Sequence, residues 1–312
     1  MGIKKYWIAA LFMYVLNGYS QQDFRISHGE IADVYRNPAK VGSQSSLSVF
    51  VLHRRQWVTL PGAPTTSLVG FSKRLTSKVG GAVGLQLVND QIGNLKYNNL
   101  KLLYAKGFRI GISELRFGGA IIGNFLKINQ SDWITSDVEI DAQLKDAAVN
   151  KAEYLDGSFG VSFKRNDLTV GIAASRLRSA SLKELNWTTS RSYNAWLGYK
   201  LQWGNKIAFN TTPMLRVITD ELARPQIEGR IDTEINNKFW LLAGYRYKES
   251  SLLGFSYAIP VGVGKMVFGY VFDYSLNKLA EYNSGSHELM LRFNLDNIQV
   301  NEKNEIKNVR FL

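Results

Sequence analysis

The sequence predicts an all-β fold, a transmembrane antiparallel β-barrel of about 14 strands. Three observations predict it: apolar and polar residues alternate over segments of about ten residues, short and longer connections follow one another, and past the N-terminus no apolar run approaches the roughly 18 residues that a spanning helix needs. An apolar content of 45% does not decide between a soluble protein and a barrel, because only alternate residues of a barrel strand face lipid.

The N-terminus has the pattern of a secretory signal. Lys4 and Lys5 precede an apolar run over residues 6–16, which is followed by small and polar residues. Residues 1–20 are therefore predicted to be a signal peptide that is cleaved near Ser20, and the protein is predicted to be exported. A membrane anchor helix is the alternative, which the shortness of the run disfavours.

Residues 21–43 are polar and turn-rich, and they come before the first clear strand. In a barrel they would form a periplasmic segment or a partial plug. Residues 44–295 are predicted to form the barrel in the outer membrane, and residues 296–312 a C-terminal tail. The chain has no cysteine, which excludes a disulfide framework, a thiolate metal site and a cysteine nucleophile.

The first strands are predicted from a hairpin within residues 37–75. Pro61 presets the second position of a type II turn and Gly62 accepts the positive φ of the third, so the chain reverses there. After the turn, apolar residues such as Val69 and Phe71 alternate with small or polar ones, which places the apolar groups on one face.

The same alternation recurs along the rest of the chain. The clearest segments are residues 193–201, 226–235, 265–275 and 288–295. Each is about as long as a tilted strand that crosses a hydrocarbon layer. A β-sandwich also alternates, but its strands average about 5 to 6 residues, so the length of these segments favours the barrel.

The connections between the segments give a second test. Short connections are predicted at 76–77, 165–167, 204–205, 236–237 and 260–264, and longer ones at 127–154, 179–188, 220–224 and 276–285. Bacterial barrels have short periplasmic turns and longer external loops, and an even number of strands places both chain ends in the periplasm. Within the longest connection, residues 137–150 have helical spacing and predict a short helix or an ordered patch.

Aromatic residues fall often near the predicted strand ends, as at Trp57, Trp203 and Trp240. Amphipathic rings at these positions favour the two interfaces of a membrane. The alternative is that aromatic residues are frequent in any β-protein.

The chain is basic, with a formal net charge of +12 that falls to +10 when Lys4 and Lys5 leave with the signal. No recognition motif accompanies this charge, so nucleic acid is not a predicted partner. The cations predicted to face the lumen, because they fall on the polar side of their strands, are Arg74, Lys200, Arg230, Arg246 and Arg292. They would favour anionic groups, or they would pair with carboxylates and fill the interior; both possibilities stay open.

Nothing in the sequence has the pattern of a catalytic site. His28, His53 and His287 lie far apart in the chain, with no nucleophile elbow or metal-binding helix motif beside them. Gly264-Lys265 is similar to the end of a phosphate loop, but the first glycine of that motif is missing. The sequence therefore predicts no enzyme activity, no cofactor and no metal site.

Five short motifs follow one another along the chain. They are Asn37-Pro38-Ala39 with Gly42, then Arg55-Gln56-Trp57, Gly62-Ala63-Pro64, the segment 88–93, and Ser286-His287-Glu288. In this order and spacing they resemble the PorP/SprF family, outer-membrane proteins of the type IX secretion system of Bacteroidetes, in which the fourth motif follows the third strand. The resemblance spans nearly the whole mature chain, and residues 296–312 depart from it by running past the apparent last strand.

The resemblance implies an outer-membrane component needed for secretion or surface anchoring of particular cargo proteins, adhesins among them. Surrounded by membrane lipid, it would bind the cargo's C-terminal signal domain and couple it to periplasmic secretion or gliding components. The residues implied for partner binding are Arg54, Arg55, Gln56, Trp57, Gly62, Pro64, His287 and Glu288. The alternative for these residues is structural: they fill the wall, anchor it at the interface and form a turn.

A second function stays open beside this one. A barrel of about 14 strands can leave an aqueous pore unless loops or the N-terminal segment close it. The chain would then be an outer-membrane solute channel with a basic lumen that favours anions.

Overall fold

Fourteen antiparallel strands close into a barrel in the computed structural model, which describes residues 24–75, 80–129, 149–182, 187–205, 207–221 and 225–295. In chain order the strands are β1 (Leu47–Arg55), β2 (Thr65–Arg74), β3 (Ala82–Ile92), β4 (Leu95–Ile110), β5 (Ser113–Asn129), β6 (Val149–Arg165), β7 (Leu168–Ser175), β8 (Ser181–Leu182), β9 (Trp187–Thr188), β10 (Ser192–Tyr199), β11 (Leu201–Trp203), β12 (Phe209–Asp220), β13 (Gln226–Ile235), β14 (Phe239–Arg246), β15 (Ser250–Val261), β16 (Gly264–Ser275) and β17 (Ser286–Leu295). Barrel strands pair with their neighbours along the chain, and β1 pairs with β17, which closes the ring. β10 and β11 form one interrupted strand against β12, while β8 and β9 form a separate hairpin. The predicted fold class is confirmed.

Side chains along each strand alternate between the lumen and the outer surface, because successive residues of a strand point to opposite sides. In β1, Val49 and Val51 point outward and are 38% and 47% exposed, whereas Phe50 and Leu52 point inward and are buried. Across the barrel the exposed outward positions are rich in apolar residues, as a wall that faces lipid requires.

The two ends of the barrel differ in their connections. We call the end where β1 begins and β17 ends the terminal rim, and the opposite end the loop rim. Connections between the described strands span at most seven residues at the terminal rim, whereas at the loop rim they reach 19 residues between β5 and β6. The predicted division into short and longer connections therefore holds. The loop rim also has two tight turns that were not predicted, at 93–94 and 247–249.

Residues 24–46, which we call the inner segment, lie inside the barrel and lead into β1. The helix Gly29–Arg36 buries Ile31 and Ala32 against the wall. An apolar cluster forms between the segment and β1, β2, β3, β15, β16 and β17. Its buried members are Ile26, Ile31, Ala32, Phe50, Leu52, Leu68, Val88, Ala258, Val267 and Met290. Removal of this surface from water favours a segment that stays in the lumen.

The helix ends where the sequence reaches Asn37-Pro38. A residue before proline disfavours the helical conformation, and Asn37 is extended, with a φ of −129°. Its side-chain Oδ1 accepts a hydrogen bond from Ala39 N at 2.9 Å, which starts the 3₁₀ turn Pro38–Lys40. The first family-like motif is thus the corner at which the segment changes direction.

The inner segment runs through the lumen from one rim to the other. Arg25 pairs with Glu249, which lies in the connection between β14 and β15 at the loop rim. At the other end, Arg74 Nη2 donates to Gly42 O at 2.9 Å, close to the terminal rim. The chain therefore passes through the barrel before it forms the wall.

Two local expectations differ from the structure. Residues 88–93 form the end of β3 and its turn, rather than a segment after the third strand, because the alternation of β3 continues through them. Trp240 was predicted at an interface but packs against the apolar cluster in the lumen, and its neighbour Phe239 faces outward at 49% exposure. The alternation places only one of two adjacent aromatic residues on the outer wall.

Other expectations fall on residues that the structure does not describe. These are the signal peptide over 1–20, the tail over 296–312 and the helix over 137–150, of which only Val149 and Asn150 are described, at the start of β6. In the described part of the chain, no helix has the length and apolar character needed to cross a membrane.

Candidate functional site

The inner segment is held at the loop rim by a buried group of polar and charged side chains. We call it the anchor cluster; it consists of Ser27, Arg54, Glu228, Arg246, Asp273 and Glu288. Glu288 on β17 accepts hydrogen bonds from Ser27 N at 2.9 Å and from His28 N at 2.6 Å. Hydrogen bonds to an ionised carboxylate are among the strong ones, so the last strand holds the residues that precede the helix.

Two arginines and a carboxylate surround the Ser27 hydroxyl. Arg54 Nη2 and Arg246 Nη1 both donate to Asp273 Oδ2, at 2.6 and 2.8 Å. Arg54 Nη1 and Arg246 Nη2 both donate to Ser27 Oγ at 2.9 Å. The side chains of the two arginines and of Asp273 are at most 3% exposed. Because these charges are buried, each needs its partners in place.

The charges continue from the anchor cluster toward the helix. Arg246 Nε donates to Glu228 Oε2 at 2.9 Å. Arg216 and Arg230 lie 3.7 and 3.6 Å from the same carboxylate, and Arg216 also pairs with Asp33 of the helix. Strands β12, β13 and β14 are thereby connected electrostatically to the inner segment.

At the terminal rim, arginines of the wall bind the backbone of the inner segment. Arg116 Nε donates to Ala39 O at 2.9 Å, and its Nη2 donates to Val41 O at 2.6 Å. Arg74 donates to Gly42 O from Nε at 3.2 Å and from Nη2 at 2.9 Å. Backbone carbonyls accept these bonds, so the bonds depend on the path of the segment and not on its side chains.

Two wall glycines allow the inner segment to approach the barrel backbone. A Cβ atom at Gly118 would lie 2.3 Å from Ala39 N, and one at Gly160 would lie 2.1 Å from Asn37 Oδ1. Asn37 Nδ2 donates to Val161 O at 3.1 Å. The segment is therefore in direct contact with the wall at these points, without space for a larger side chain.

Family-like motifs from the two ends of the chain meet where β1 pairs with β17. In this ladder Arg54 lies opposite Glu288, and Arg55 lies opposite His287. Arg54 Nη1 also donates to Glu288 Oε2 at 3.3 Å. The closure of the barrel and the hold on the inner segment thus share residues.

The connection 56–64, which we call the seam loop, packs against the connection that precedes β17. Val58 N donates to Gly285 O, and Ser284 N donates to Val58 O, both at 2.8 Å. Trp57 N donates to Ser286 Oγ at 3.1 Å. These bonds extend the pairing of β1 and β17 beyond the loop rim.

The seam loop contains the predicted turn and two strained positions. Gly62 has a φ of 70°, and Ala63 N donates to Leu60 O at 3.2 Å, as in the type II turn that was predicted. Trp57 and Thr59 have φ values of 47° and 81°. Left-handed backbone is uncommon for residues with a side chain and unusual for a β-branched one, so the surrounding contacts must hold this shape.

The residues predicted to bind partners divide between the interior and the surface. Arg54, Gln56, Pro64 and Glu288 are buried, while Arg55 and Gly62 are exposed and Trp57 and His287 are half-buried. His287 Nδ1 shares a hydrogen bond with Tyr270 Oη at 2.7 Å on the outer wall.

The cations predicted to face the lumen all reach the interior, with different partners. Arg230 and Arg246 lie around Glu228, and Arg74 binds the backbone of the inner segment. Arg292 pairs with Glu30 of the helix, and Lys200 lines a cavity at the terminal rim.

Sequence reasoning missed several of the residues that hold the inner segment in place at the two rims, among them Ser27, Arg116 and Asp273. A signal existed for Asp273, because it lies on the polar side of the alternating segment 265–275 and so had to face the lumen. No local signal pointed to Ser27, whose bonds to Arg246 and Asp273 join residues 219 and 246 positions apart.

The inner segment leaves a cavity near each rim. The cavity at the loop rim has a volume of about 90 Å³, and the one at the terminal rim about 450 Å³. Lys40 of the inner segment faces the larger cavity, with its Nζ 4.6 Å from the centre of the Trp196 ring.

Among the described residues, no group of three or more His, Cys, Asp or Glu is placed to hold a metal ion. His28 faces the lumen, where its Nε2 is 3.0 Å from Ser256 Oγ. His53, which is 3.0 Å from Ser67 Oγ, lies on the outer wall.

Two comparisons with known proteins agree with this geometry. The sequence profile of the family described as "Type IX secretion system membrane protein PorP/SprF" matches residues 19–293. The toluene transporter TbuX of Ralstonia pickettii has a similar structure, with a TM-score of 0.50 and 11% identity over 85% of this chain and 93% of that one. At this identity the likeness shows the fold alone, that of an outer-membrane barrel. No curated protein matches the chain.

Two further barrels are similar at lower scores. The monoaromatic hydrocarbon channel CymD has a TM-score of 0.49 and 9% identity over 86% of this chain and 92% of that one. A FadL homologue of Pseudomonas aeruginosa has a TM-score of 0.44 and 9% identity over 84% and 92%.

The family profile covers most of the chain; the family is one of secretion-system membrane proteins rather than an enzyme family, and the fold is that of an outer-membrane barrel. Both place the protein in the outer membrane. The chain belongs to the PorP/SprF family of type IX secretion system membrane proteins.

Proposed function

We propose that this barrel is a docking component of type IX secretion, which binds the C-terminal signal domain of a secreted cargo and couples it to periplasmic secretion or gliding components. Family membership supplies the secretion system. The observation that carries the docking role is the inner segment, which occupies the lumen from one rim to the other. A barrel filled in this way acts through its rims and its outer surface.

The filled lumen disfavours the alternative of a solute channel. A steady pore would require the inner segment to leave, which would expose the apolar cluster and break the buried ion pair between Asp33 of the segment and Arg216 of the wall. Breaking a buried ion pair costs about 3–5 kcal/mol. Several charges of the lumen, among them Arg74, Arg116 and Arg216, thus hold the segment.

The surface we assign to the cargo lies at the loop rim, where β1 pairs with β17 and the seam loop begins. Arg55 is exposed beside the half-buried Trp57 and His287. Arginine and tryptophan are enriched at the energetic centres of interfaces, and a guanidinium can bind a carboxylate through two parallel hydrogen bonds. An extended or acidic segment of the cargo would fit this surface. Arg54 and Glu288 would then act indirectly, by holding β1 and β17 in register.

The terminal rim is the end we assign to periplasmic partners. Its connections are short, as periplasmic turns of bacterial barrels are. The first barrel strand begins at this rim, and the last one ends there. The larger cavity also lies on this side, lined by charged side chains of both signs, such as Lys200 and Asp232.

A pull-down from detergent extracts of the native cells tests the proposal. The wild-type barrel should recover a secreted cargo together with periplasmic secretion components. The double variant Arg55→Ala with Trp57→Ala should recover at least tenfold less cargo. Arg191→Ala is the matched control, because Arg191 is also an exposed arginine at the loop rim, in the connection before β10. Recovery of neither cargo nor secretion components by the wild type would contradict the proposal.

Planar-bilayer recordings separate docking from conduction. The wild-type protein should show no steady conductance, because the inner segment occupies the lumen from rim to rim. A steady open pore in the wild type would favour the solute channel instead.

A further inference from the structure

Three lysines lie directly opposite one another on the outer wall at the loop rim, and we call them the lysine row. In the ladder of β4, β5 and β6, Lys96 lies opposite Lys127, and Lys127 lies opposite Lys151. All three side chains are exposed. Neighbouring strands are about 4.8 Å apart, so the three side chains leave the backbone within a span of about 10 Å. The row is therefore a compact group of positive charge.

The same three strands arrange their charges differently at the other end. Like charges directly opposite each other destabilise a sheet, whereas opposite charges stabilise it. Near the terminal rim, Glu114 of β5 lies between Arg109 of β4 and Lys164 of β6, so a carboxylate separates the two cations. In the lysine row the middle position on β5 is Lys127 instead. An anion from outside the barrel would relieve the repulsion that results.

The acidic side chains beside the lysine row are too few to balance it. The next row of outward residues on β4, β5 and β6 consists of Asn98, Phe125 and Glu153. Among the described outward positions of these strands near the loop rim, Glu153 is the one carboxylate, and the lysines outnumber it three to one. The surface therefore keeps a net positive charge.

The lysine row lies next to the apolar part of the wall, on the side of the loop rim. Phe125, two residues from Lys127, is 45% exposed. The row beyond it contains Leu100 and Leu155, which are 36% and 62% exposed. Two residues of a tilted strand rise about 5 Å along the membrane normal, and the polar layer of one leaflet is about 5–7 Å thick. Flexible lysine stems thus place their ammonium groups among the lipid headgroups.

Phosphate groups are the anions that this layer offers. A phosphate monoester carries a charge of roughly −1.5 to −2, and lysine binds phosphate as a point charge. Clusters of basic residues beside a membrane are a general mode of anionic lipid recognition. A free phosphate would be held weakly by exposed lysines, because salt screens the attraction. A lipid is kept at this level by the membrane itself, which favours the lipid as the source of the phosphate.

We propose that the lysine row binds the phosphate groups of lipid A, the phosphorylated glycolipid of the outer leaflet, whose acyl chains then lie against Phe125, Leu100 and Leu155. This inference goes beyond docking of cargo and uses other strands than the seam. It rests on the orientation proposed above, in which the loop rim with its longer connections faces the cell exterior.

Native mass spectrometry of the full-length protein in detergent micelles tests the site. Bisphosphorylated lipid A, the same lipid with both phosphates removed, and phosphatidylglycerol are added singly, and the bound lipid is counted. The wild-type protein should bind bisphosphorylated lipid A at least tenfold more tightly than the dephosphorylated form. It should also bind it more tightly than phosphatidylglycerol, which has one phosphate.

Variants of the row test which charges are responsible. Lys127→Gln, at the middle of the row, should weaken binding of lipid A at least threefold. The triple variant Lys96→Gln, Lys127→Gln and Lys151→Gln should weaken it at least tenfold. Lys248→Gln is the matched control, because Lys248 is also an exposed lysine at the loop rim, in the turn between β14 and β15. It should leave lipid A binding unchanged.

A stability measurement separates a binding role from a structural one. In micelles without lipid A, Lys127→Gln should melt at the same temperature as the wild type or above it, because a repulsion is removed. A lower melting temperature would show that the lysine contributes to the wall itself and would count against the proposal. The heat-induced gel shift of the barrel reports whether each variant is folded.

Several results would overturn the proposal. These are equal binding of lipid A with and without its phosphates, wild-type binding by the folded triple variant, and equal losses in Lys248→Gln and Lys127→Gln. Tighter binding of phosphatidylglycerol than of lipid A would contradict the outer leaflet as the source. Displacement of lipid A by inorganic phosphate at a similar concentration would show a site for the free anion instead. No cargo takes part in these measurements, so a failure of the docking proposal in the pull-down is a separate result.

Discussion

The two ends of the inner segment are held by different chemistry. At the loop rim, side chains of the wall bind one another as well as the segment, and Ser27 is the only side chain of the segment among the six of the anchor cluster. At the terminal rim, Arg116 and Arg74 bind carbonyl oxygens of the segment. The first arrangement is a buried network of charges, and the second is a fit to the path of the backbone.

The difference teaches where the barrel is sensitive. In a network of buried charges, the loss of one member leaves the others unpaired, so the effects of single changes are large and not additive. Backbone hydrogen bonds are lost one at a time, and water can replace them near a rim. The loop rim should therefore fail as a unit, and the terminal rim gradually.

The largest effect is expected from Asp273→Ala. This change removes the acceptor shared by Arg54 and Arg246, and removal of one partner from a buried pair costs about 3–5 kcal/mol. Guanidinium unfolding of the refolded barrel in micelles measures it. Asp167→Ala, in a turn at the terminal rim, is the control and should change the midpoint little. A loss below about 1 kcal/mol for Asp273→Ala would show that the cluster does not act as a network.

A smaller loss is expected from Arg116→Ala. Two hydrogen bonds from a charged group to Ala39 O and Val41 O disappear, and one such bond contributes about 1.5–3 kcal/mol. Water that reaches the freed carbonyls offsets part of this, so we expect a total of about 2 kcal/mol. The same unfolding assay measures it, with protease sensitivity of residues 39–42 as a second readout. An effect equal to that of Asp273→Ala would remove the distinction between the two rims.

Gly118→Ala tests the fit itself. The added Cβ would meet Ala39 N at 2.3 Å, and overpacking of this kind costs about 1–3 kcal/mol. Gly229→Ala is the matched control, because a Cβ there meets no atom within 4 Å among the described residues. Equal stability of the two variants would mean that the segment does not touch the wall at Gly118.

The smallest effect is expected at the seam loop, which belongs neither to the anchor cluster nor to the contacts of Arg74 and Arg116 at the terminal rim. Thr59→Gly should stabilise the barrel by about 1 kcal/mol or less, because glycine adopts a positive φ without strain but loses more entropy on folding. Ser67→Gly in β2 is the control and should destabilise by about 0.5–1 kcal/mol. Destabilisation by Thr59→Gly in a thermal melt would show that the threonine side chain contributes more than its backbone strain costs.

Much of the wall could be predicted from local pattern. Outward residues such as Ile227 and Ile231 repeat every second or fourth position, and Gly62 marks its turn by type alone. Such signals need only neighbours in sequence, so strand number and the two faces follow from them.

The residues that hold the inner segment at the two rims could be predicted only in part, since the residues they contact are distant in sequence. Arg54 and Glu288 were grouped with surface residues because of the motifs that contain them. The alternation of β1 already placed Arg54 on the side of Phe50 and Leu52, which is the lumen. What alternation cannot give is which inward charges meet, because that depends on how the strands are staggered around the ring. No local sequence pattern predicts the path of the inner segment through the lumen.

The pairing of β1 with β17 has a consequence for how the protein is made. The ring can close only when the final strand has arrived, and a closed barrel can then be entered only through its two ends. Glu288, on that final strand, is buried and binds the backbone of Ser27 and His28. A barrel that closed before residues 24–46 entered the lumen would bury this carboxylate without those two backbone donors, so closure is more favourable in chains whose inner segment already lies in the lumen.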